Sequence, residues 1–269
     1  KGAFLNDIEK TGAKIILSSS VENVYDKPTG RLEFKAKEIN PRVWIRFLGE
    51  DFKPMDRTAL LNLNAEGTFD LSETALESHN LNIELDDSRI SSQALIQFKP
   101  TPYVEFDVSL DEADLDRYLP PNENQSLTPE TAALGATTLP NELLRQLNGK
   151  GEIRIAKLKI SDIEIEDINV KGEAAKGLIN LSPLKAKLYK GIYDGDITID
   201  ARTQNTTIKI ASNLKNLDLA PLIYAKTKSR TLNGITTIEL NLDGTGKSSE
   251  QLIETLSGNC RFIVENGVF

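Results

Sequence analysis

Cysteine, histidine, methionine and tryptophan each occur once in the 269 residues, and aromatic residues make up only 6% of the chain. The single thiol, Cys260, cannot close an internal disulfide, and with His79 as the only histidine no zinc-finger spacing can be assembled. Positive charge is also short. The 32 Lys and Arg residues stand against 40 Asp and Glu, a net charge of −8. A phosphate backbone demands the opposite balance, so nucleic acid is not an expected partner. No stretch approaches the roughly 20 consecutive apolar residues of a membrane helix, and the opening KGAFLNDIEK lacks the apolar core of a secretory signal. The chain does not begin with Met, and Phe269 falls inside a strand-like pattern, so it is expected to be a piece of something longer.

What remains is ordinary for a folded protein: 39% hydrophobic and 27% charged residues, in a length that suits one large domain or two modest ones. The dominant pattern is alternation of apolar and polar residues in short runs, the period of a strand with one buried face. It is clearest at Leu81, Ile83 and Leu85; Ile153 and Ile155; Ile163 and Ile165; Ile197 and Ile199; Ile208 and Ile210; and Ile238, Leu240 and Leu242. Breaks at Lys190-Gly191 and Asp194-Gly195 suit the hairpins of an antiparallel meander.

Four short helices interrupt the strands. Asn40 to Gly49 has Asn40 as cap, Pro41 at the first position and Gly49 as stop. Asp111 to Leu119 is closed by Pro120-Pro121, and Asn141 to Asn148 is stopped by Gly149. Ser249 to Ser257 has Ser248 or Ser249 as cap and Gly258 as stop. Around Asp218 to Tyr224 only a short turn is expected, because Pro221 interrupts it. Residues 120–138 hold three of the prolines near PPNENQSLTPETAALGATTL and show no period; they read as a linker or surface loop. The expected organisation is a β-rich lobe over 1–119, the linker, and a second β-rich lobe over 139–269.

Internal repetition is visible at two offsets. Leu110, Asp114, Leu115, Tyr118 and Leu119 match Leu214, Asp218, Leu219, Leu222 and Ile223 at an offset of 104 (214 − 110). Leu143, Leu144, Leu147, Gly149, Ile153 and Ile155 match Leu252, Ile253, Leu256, Gly258, Phe262 and Val264 at 109 (252 − 143). Both follow one plan of strand hairpin, short leucine-bearing helix, and strand. The fold class expected is therefore mostly β with a few short α-helices, an elongated antiparallel meander with strand-hairpin and short-helix repetition.

The residues resemble those of the AsmA family of bacterial envelope proteins. LDEADLDRYLPP (Leu110 to Pro121), after the strand YVEFDVSL, resembles the family's strand-then-"LDxYLP" signature. INPRVWIRFLG (Ile39 to Gly49) looks like its "NPR…LG" helix, and LNIELDDSRISSQALI (Leu81 to Ile96) like its "LDD" strand pair. LSPLKAKLYKGIYDGDITID (Leu181 to Asp200) and LSGNCRFIVENGVF (Leu256 to Phe269) are similar to its "L…Y.G.Y.G" hairpin and its closing segment. The resemblance implies a Gram-negative envelope protein with its body in the periplasm, held in the inner membrane by an N-terminal helix absent from this chain. It also implies kinship with long β-groove proteins that conduct phospholipids along an apolar trough.

Enzymatic signals are weak, and neither a metal nor a cofactor is expected. NLDGTGKSS (Asn241 to Ser249) resembles a phosphate-binding loop, but Asn241 replaces the first glycine, so a polar turn capping a helix is the better reading. His79 lacks a partner for base chemistry, and Asp86-Asp87 and Asp194 with Asp196 suit hairpin turns. Asn124 and Asn205 open glycosylation sequons, which carry no meaning in a bacterial envelope. Trp44, Phe47 and Leu48 suit a helix packed on a sheet, with a membrane-contacting edge as the alternative. The alternating strands themselves fit either a closed sandwich or a sheet curved into an open groove. In the groove, the candidates to line the apolar face are Ile197, Ile199, Ile208, Ile210, Ile238, Leu240 and Leu242, with phospholipid acyl chains as ligand. The competing reading is a structural factor for outer-membrane protein assembly that recruits partners at its sheet edges.

Overall fold

The computed structural model describes residues 13–22, 27, 29–49, 52, 54–119, 139–228 and 233–268. The linker expected at 120–138, and Asn124 within it, lie outside them. The chain divides into two compact units, Lys1–Asn122 with Ile155–Ile160, and Glu123–Arg154 with Ser161–Phe269. The described residues are mostly β, and over residues 14–114 and again over 163–268 strand follows strand in chain order, each antiparallel to the last.

In the first unit the strands are β1 (Lys14–Glu22), β2 (Thr29–Ile39), β3 (Leu63–Leu71), β4 (Ala75–Leu85), β5 (Ser88–Gln97) and β6 (Tyr103–Asp114). Helix α1 (Pro41–Phe47) joins β2 to β3, and a 3-10 turn (Leu115–Arg117) follows β6. Helix α2 (Asn141–Gln146) leads into β7 (Gly149–Ile160). The second unit then carries β8 (Ile163–Ala175), β9 (Leu178–Leu188), β10 (Gly191–Asp200), β11 (Thr206–Asp218), β12 (Asn233–Gly246) and β13 (Ser257–Val268). Helix α3 (Leu219–Thr227) joins β11 to β12, and α4 (Ser249–Glu254) joins β12 to β13. Among the described residues neither unit closes its sheet: β1 pairs only with β2, and β13 only with β12.

Local chemistry explains the element ends. Asn40 caps α1, its side-chain oxygen accepting from the N–H of Arg42 and Val43, with Pro41 opening the helix. Asp114 and Asp218, the pair at offset 104, do the same job: each accepts from the N–H two residues on, at 3.1 and 3.2 Å, and turns a strand into a helix. Ser248 caps α4 through the N–H of Gln251. The turn between β9 and β10 puts both Tyr189 and Lys190 at positive φ, as does Lys176-Gly177 between β8 and β9.

Five expectations are corrected by this architecture. Asp111 to Asp114 extend β6, so only Leu115–Arg117 is helical, because Asp114 starts the helix that Asp111 was expected to start. Around Asp218 the short turn is the longest helix described: Pro221 sits in its first turn, where an N–H has no intrahelical partner to lose. The hairpin turn is Tyr189-Lys190; Gly191 opens β10, where a Cβ would lie 2.9 Å from the Leu188 carbonyl oxygen and 3.0 Å from Leu217 Cα. Asp194, Gly195 and Asp196 lie inside β10 at a register shift rather than in a turn. Helix α4 ends at Glu254, and Gly258 belongs to β13, where any side chain would collide with the Asn241 carbonyl.

Candidate functional site

Residues directly opposed across an antiparallel ladder share a face. Ile197 opposes Ile210 and Ile199 opposes Ile208; Ile210 in turn opposes Leu242, Ser212 opposes Leu240, and Leu214 opposes Ile238. All the candidate lining residues therefore lie on one face of the second unit's sheet. The face continues on both sides, through Ile179 and Leu181 of β9 and through Cys260 and Phe262 of β13. The opposite face is polar. One row across it reads Lys185, Asp194, Asn213, Glu239 and Arg261, and another reads Asn180, Thr198, Lys209 and Asp243.

Irregular strands preserve this separation. Leu181 and Leu184 are three apart, as are Leu214 and Leu217, a spacing that would put them on opposite faces of a regular strand. Register shifts opposite Gly195–Ile197 and between Leu214 and Leu217 absorb the extra residue. Such bulges also bend and twist the strand that carries them.

The second unit has its deepest burial at the strand ends. Leu217 is 1% exposed, and Leu219 and Thr236 are buried with it where α3 begins and β12 starts. At the other end Ile179, Ala201 and Thr206 are buried beneath α2, whose Arg145 donates to the carbonyls of Ala201 and Thr203 and whose Asn141 accepts from the Thr206 hydroxyl. Helix α4 lies directly over Gly244 and Gly246: a Cβ on either would come within 2.8 Å of Leu252 or Gln251. Between these caps, Ile197, Ile199, Ile208, Ile210, Ile238, Leu240 and Leu242 are half-buried and none is fully buried. The interior of a sandwich would bury them, as sheets packed face to face interdigitate.

The first unit carries the same device, which the sequence reading did not single out. Ala65, Ile83, Ile90 and Leu110 form one row; Gly67, Leu81, Ser92 and Val108 the next; Phe69, Ser78, Ala94 and Phe106 a third. Phe34 and Phe69 stack with centroids 5.9 Å apart beside Gly67, where a Cβ would meet Phe34, Leu81 and Phe69 at 3.1, 3.2 and 3.3 Å. Alanine, serine and glycine dilute the alternation on these strands. The signal that does find them is the run Leu81, Ile83, Leu85, read across the register to β3 and β5.

An ionic knot closes one end of that face. Asp86 accepts from the N–H groups of Leu60, Leu61 and Asn62 and from the Tyr118 hydroxyl. Burial alone pushes its carboxyl up, but these donors together outweigh it and hold the group below the usual range. Arg117 bridges Asp56 at 2.6 Å and Asp87 at 2.5 Å. The N–H and hydroxyl of Thr58, then Arg117, bring Asp56 down to about 2. Ile39, Ala59 and Ser88 are buried at this end. The Asp86-Asp87 pair and the stretch Leu115–Leu119 are thus partners in one latch.

The other singled-out residues serve the polar surface. His79 sits 2.8 Å from Asp70, which also receives a two-point bond from Arg31; Arg31 first and His79 second hold the Asp70 carboxyl well below the usual range. Asn241 to Gly246 are strand, so the NLDGTGKSS stretch forms no phosphate cradle. Asn205 lies in the exposed turn between β10 and β11. Among the described residues no helix is long and apolar enough to cross a membrane.

In comparison with known proteins, the profile of the AsmA family fits residues 57–269, which is 213 of 269 residues. No curated protein and no solved structure gives a significant match.

Proposed function

The chain belongs to the AsmA family, an envelope-associated family, and from that premise we propose that it is a periplasmic body that supports outer-membrane biogenesis by guiding phospholipid along its apolar sheet face. One observation carries the reading: each unit presents an apolar face, polar on its reverse, and in the second unit the side chains along that face are half-buried while the deepest burial lies at the strand ends. An acyl chain laid along the Ile and Leu rows gains about 0.8 kcal/mol for each methylene taken out of water. The head group stays toward solvent, so the mechanism needs neither catalytic group nor cofactor. The same uncovered face weighs against a purely structural assembly factor, which would gain nothing from leaving it open.

The test is mass spectrometry of lipids extracted from the purified protein, beside an unrelated soluble protein from the same host. Phospholipid enriched toward one or more molecules per chain is the expected result. Ile210→Asp, or Ile199→Asp, places a charge in the middle of the face and is expected to abolish the enrichment while the strand content by circular dichroism stays unchanged. Absence of enrichment in the parent protein, or full retention in both variants, overturns the reading.

A further inference from the structure

The last strand of the second unit has one neighbour. Among the described residues β13 pairs with β12 alone, so along Ser257–Val268 alternate residues turn their N–H and C=O away from the sheet. Edges of this kind are normally guarded by proline, by a charge pointing into the apolar face, or by shortness. β13 lacks all three. It is 12 residues long, contains no proline, and carries only two charges, Arg261 and Glu265. Both lie on the polar face, where Arg261 opposes Glu239 and Glu265 opposes Ile235. Phe262 and Val264 lie on the apolar face opposite Ile238 and Thr236, and are 56% and 37% exposed. The register to β12 is unbroken from Ser257 to Glu265, and every residue along that stretch is exposed.

The order of these residues selects the occupant. A two-fold axis through one residue of an antiparallel pair sets positions equally far before and after it opposite each other. With the axis at Ile263, Arg261 of each copy opposes Glu265 of the other, and Phe262 opposes Val264. Opposite charges then meet twice on the polar face and apolar side chains meet twice on the apolar face, so each sheet continues into the other without a change of side. Neighbouring axes lose this match. At Phe262, Arg261 falls opposite Ile263 and Glu265 opposite Asn259; at Val264, Arg261 falls opposite Gly267 and Glu265 opposite Ile263. Pairing β13 of one copy with β1 of another leaves a free edge at each end and does not close, whereas the two-fold pair leaves no β13 edge exposed.

We propose that the protein self-associates through β13, two copies pairing edge to edge about an axis at Ile263, so that their apolar faces form one continuous surface. The association rests on strand pairing and does not depend on lipid occupying that surface.

The experiment is sedimentation velocity over a concentration series from roughly 1 μM to 1 mM. A nitroxide on Cys260, the only cysteine and an exposed one, fixes the register by pulsed electron resonance. Cys260 falls opposite Asn266, so the two labelled positions are six residues apart along the paired strands (266 − 260), a Cα separation of about 20 Å. The parent is expected to dimerise reversibly with that separation. Arg261→Glu and Glu265→Arg are each expected to weaken the dimer about tenfold, because like charges then oppose each other twice. Mixed together, the two variants are expected to associate again, since each offers the charge the other needs. Both side chains are exposed, so neither exchange empties a core. Arg261→Glu is expected to carry lipid like the parent, so this proposal and the lipid-carrying face fail separately. A monomer at every concentration, a dimer that both variants leave intact, a mixture no tighter than its components, or a separation far from 20 Å overturns the proposal.

Discussion

The two units build the same two-faced sheet and close it by different physics. In the first, the cap is ionic: Asp86 gathers three backbone N–H groups and a tyrosine hydroxyl, and Arg117 ties Asp56 to Asp87. In the second, the caps are short helices that seat apolar and small residues, with Leu217 and Leu219 at one end and Ala201, Gly244 and Gly246 at the other. The faces differ too. Phe34, Phe69 and Phe106 stand among alanine and serine in the first unit, whereas Ile and Leu dominate the second. A sheet open on its apolar side draws less stability from a central core, so each unit adds stability at its ends.

That contrast can be broken at chosen points. The largest effect is expected from Leu217→Ala, which empties a fully buried site under α3; about 3 kcal/mol should be lost, read as a fall in the second unit's protection against hydrogen exchange while the first unit is unmoved. Next is Asp86→Ala, which strands three backbone donors and the Tyr118 hydroxyl; a loss of about 1–3 kcal/mol, confined to the first unit, is expected by the same measurement.

Acid should separate the units without any substitution. The Asp56 carboxyl falls from 3.8 to about 2 on folding, and Asp86 is likewise depressed. A depressed carboxylate stabilises fully above its unfolded value and loses that contribution as pH falls through the folded one. The first unit's cap is thus expected to loosen between about pH 4 and pH 2, while the apolar caps of Leu217 and Leu219 hold over that window. In the second unit Asp200 is also brought to about 2, chiefly by Arg202, but that pair is two residues apart in one turn and ties no cap to the sheet. Simultaneous acid loss of protection in both units would remove the contrast. The smallest effect is expected from Pro221→Ala: with no hydrogen bond to regain in the first helical turn, the melting temperature should shift by less than that for any substitution above.

The sequence by itself determined what depends on near neighbours. Alternation marked strands, including every one that carries the candidate face, because a side chain's direction in a strand is set by its own backbone. Asn40, Pro41 and the Ser248-Ser249 pair announced helix starts for the same reason: a cap needs only the N–H groups two or three residues away. The tertiary structure decided whatever rests on a distant partner. The three-residue steps from Leu181 to Leu184 and from Leu214 to Leu217 stay on one face only because each is a bulge set against two residues of the adjoining strand. Asp194-Gly195 looked like a turn and is strand, since β9 and β11 pair with it on both sides. Asp86, Asp56 and Arg117 are far apart in sequence and become one latch only when β4, β6 and the 54–62 segment converge. Whether the apolar face is covered also belongs to the tertiary structure, because a period of two is identical in a closed sandwich and an open sheet. The difference lies in what packs against it, and here the helices sit at the ends of the strands.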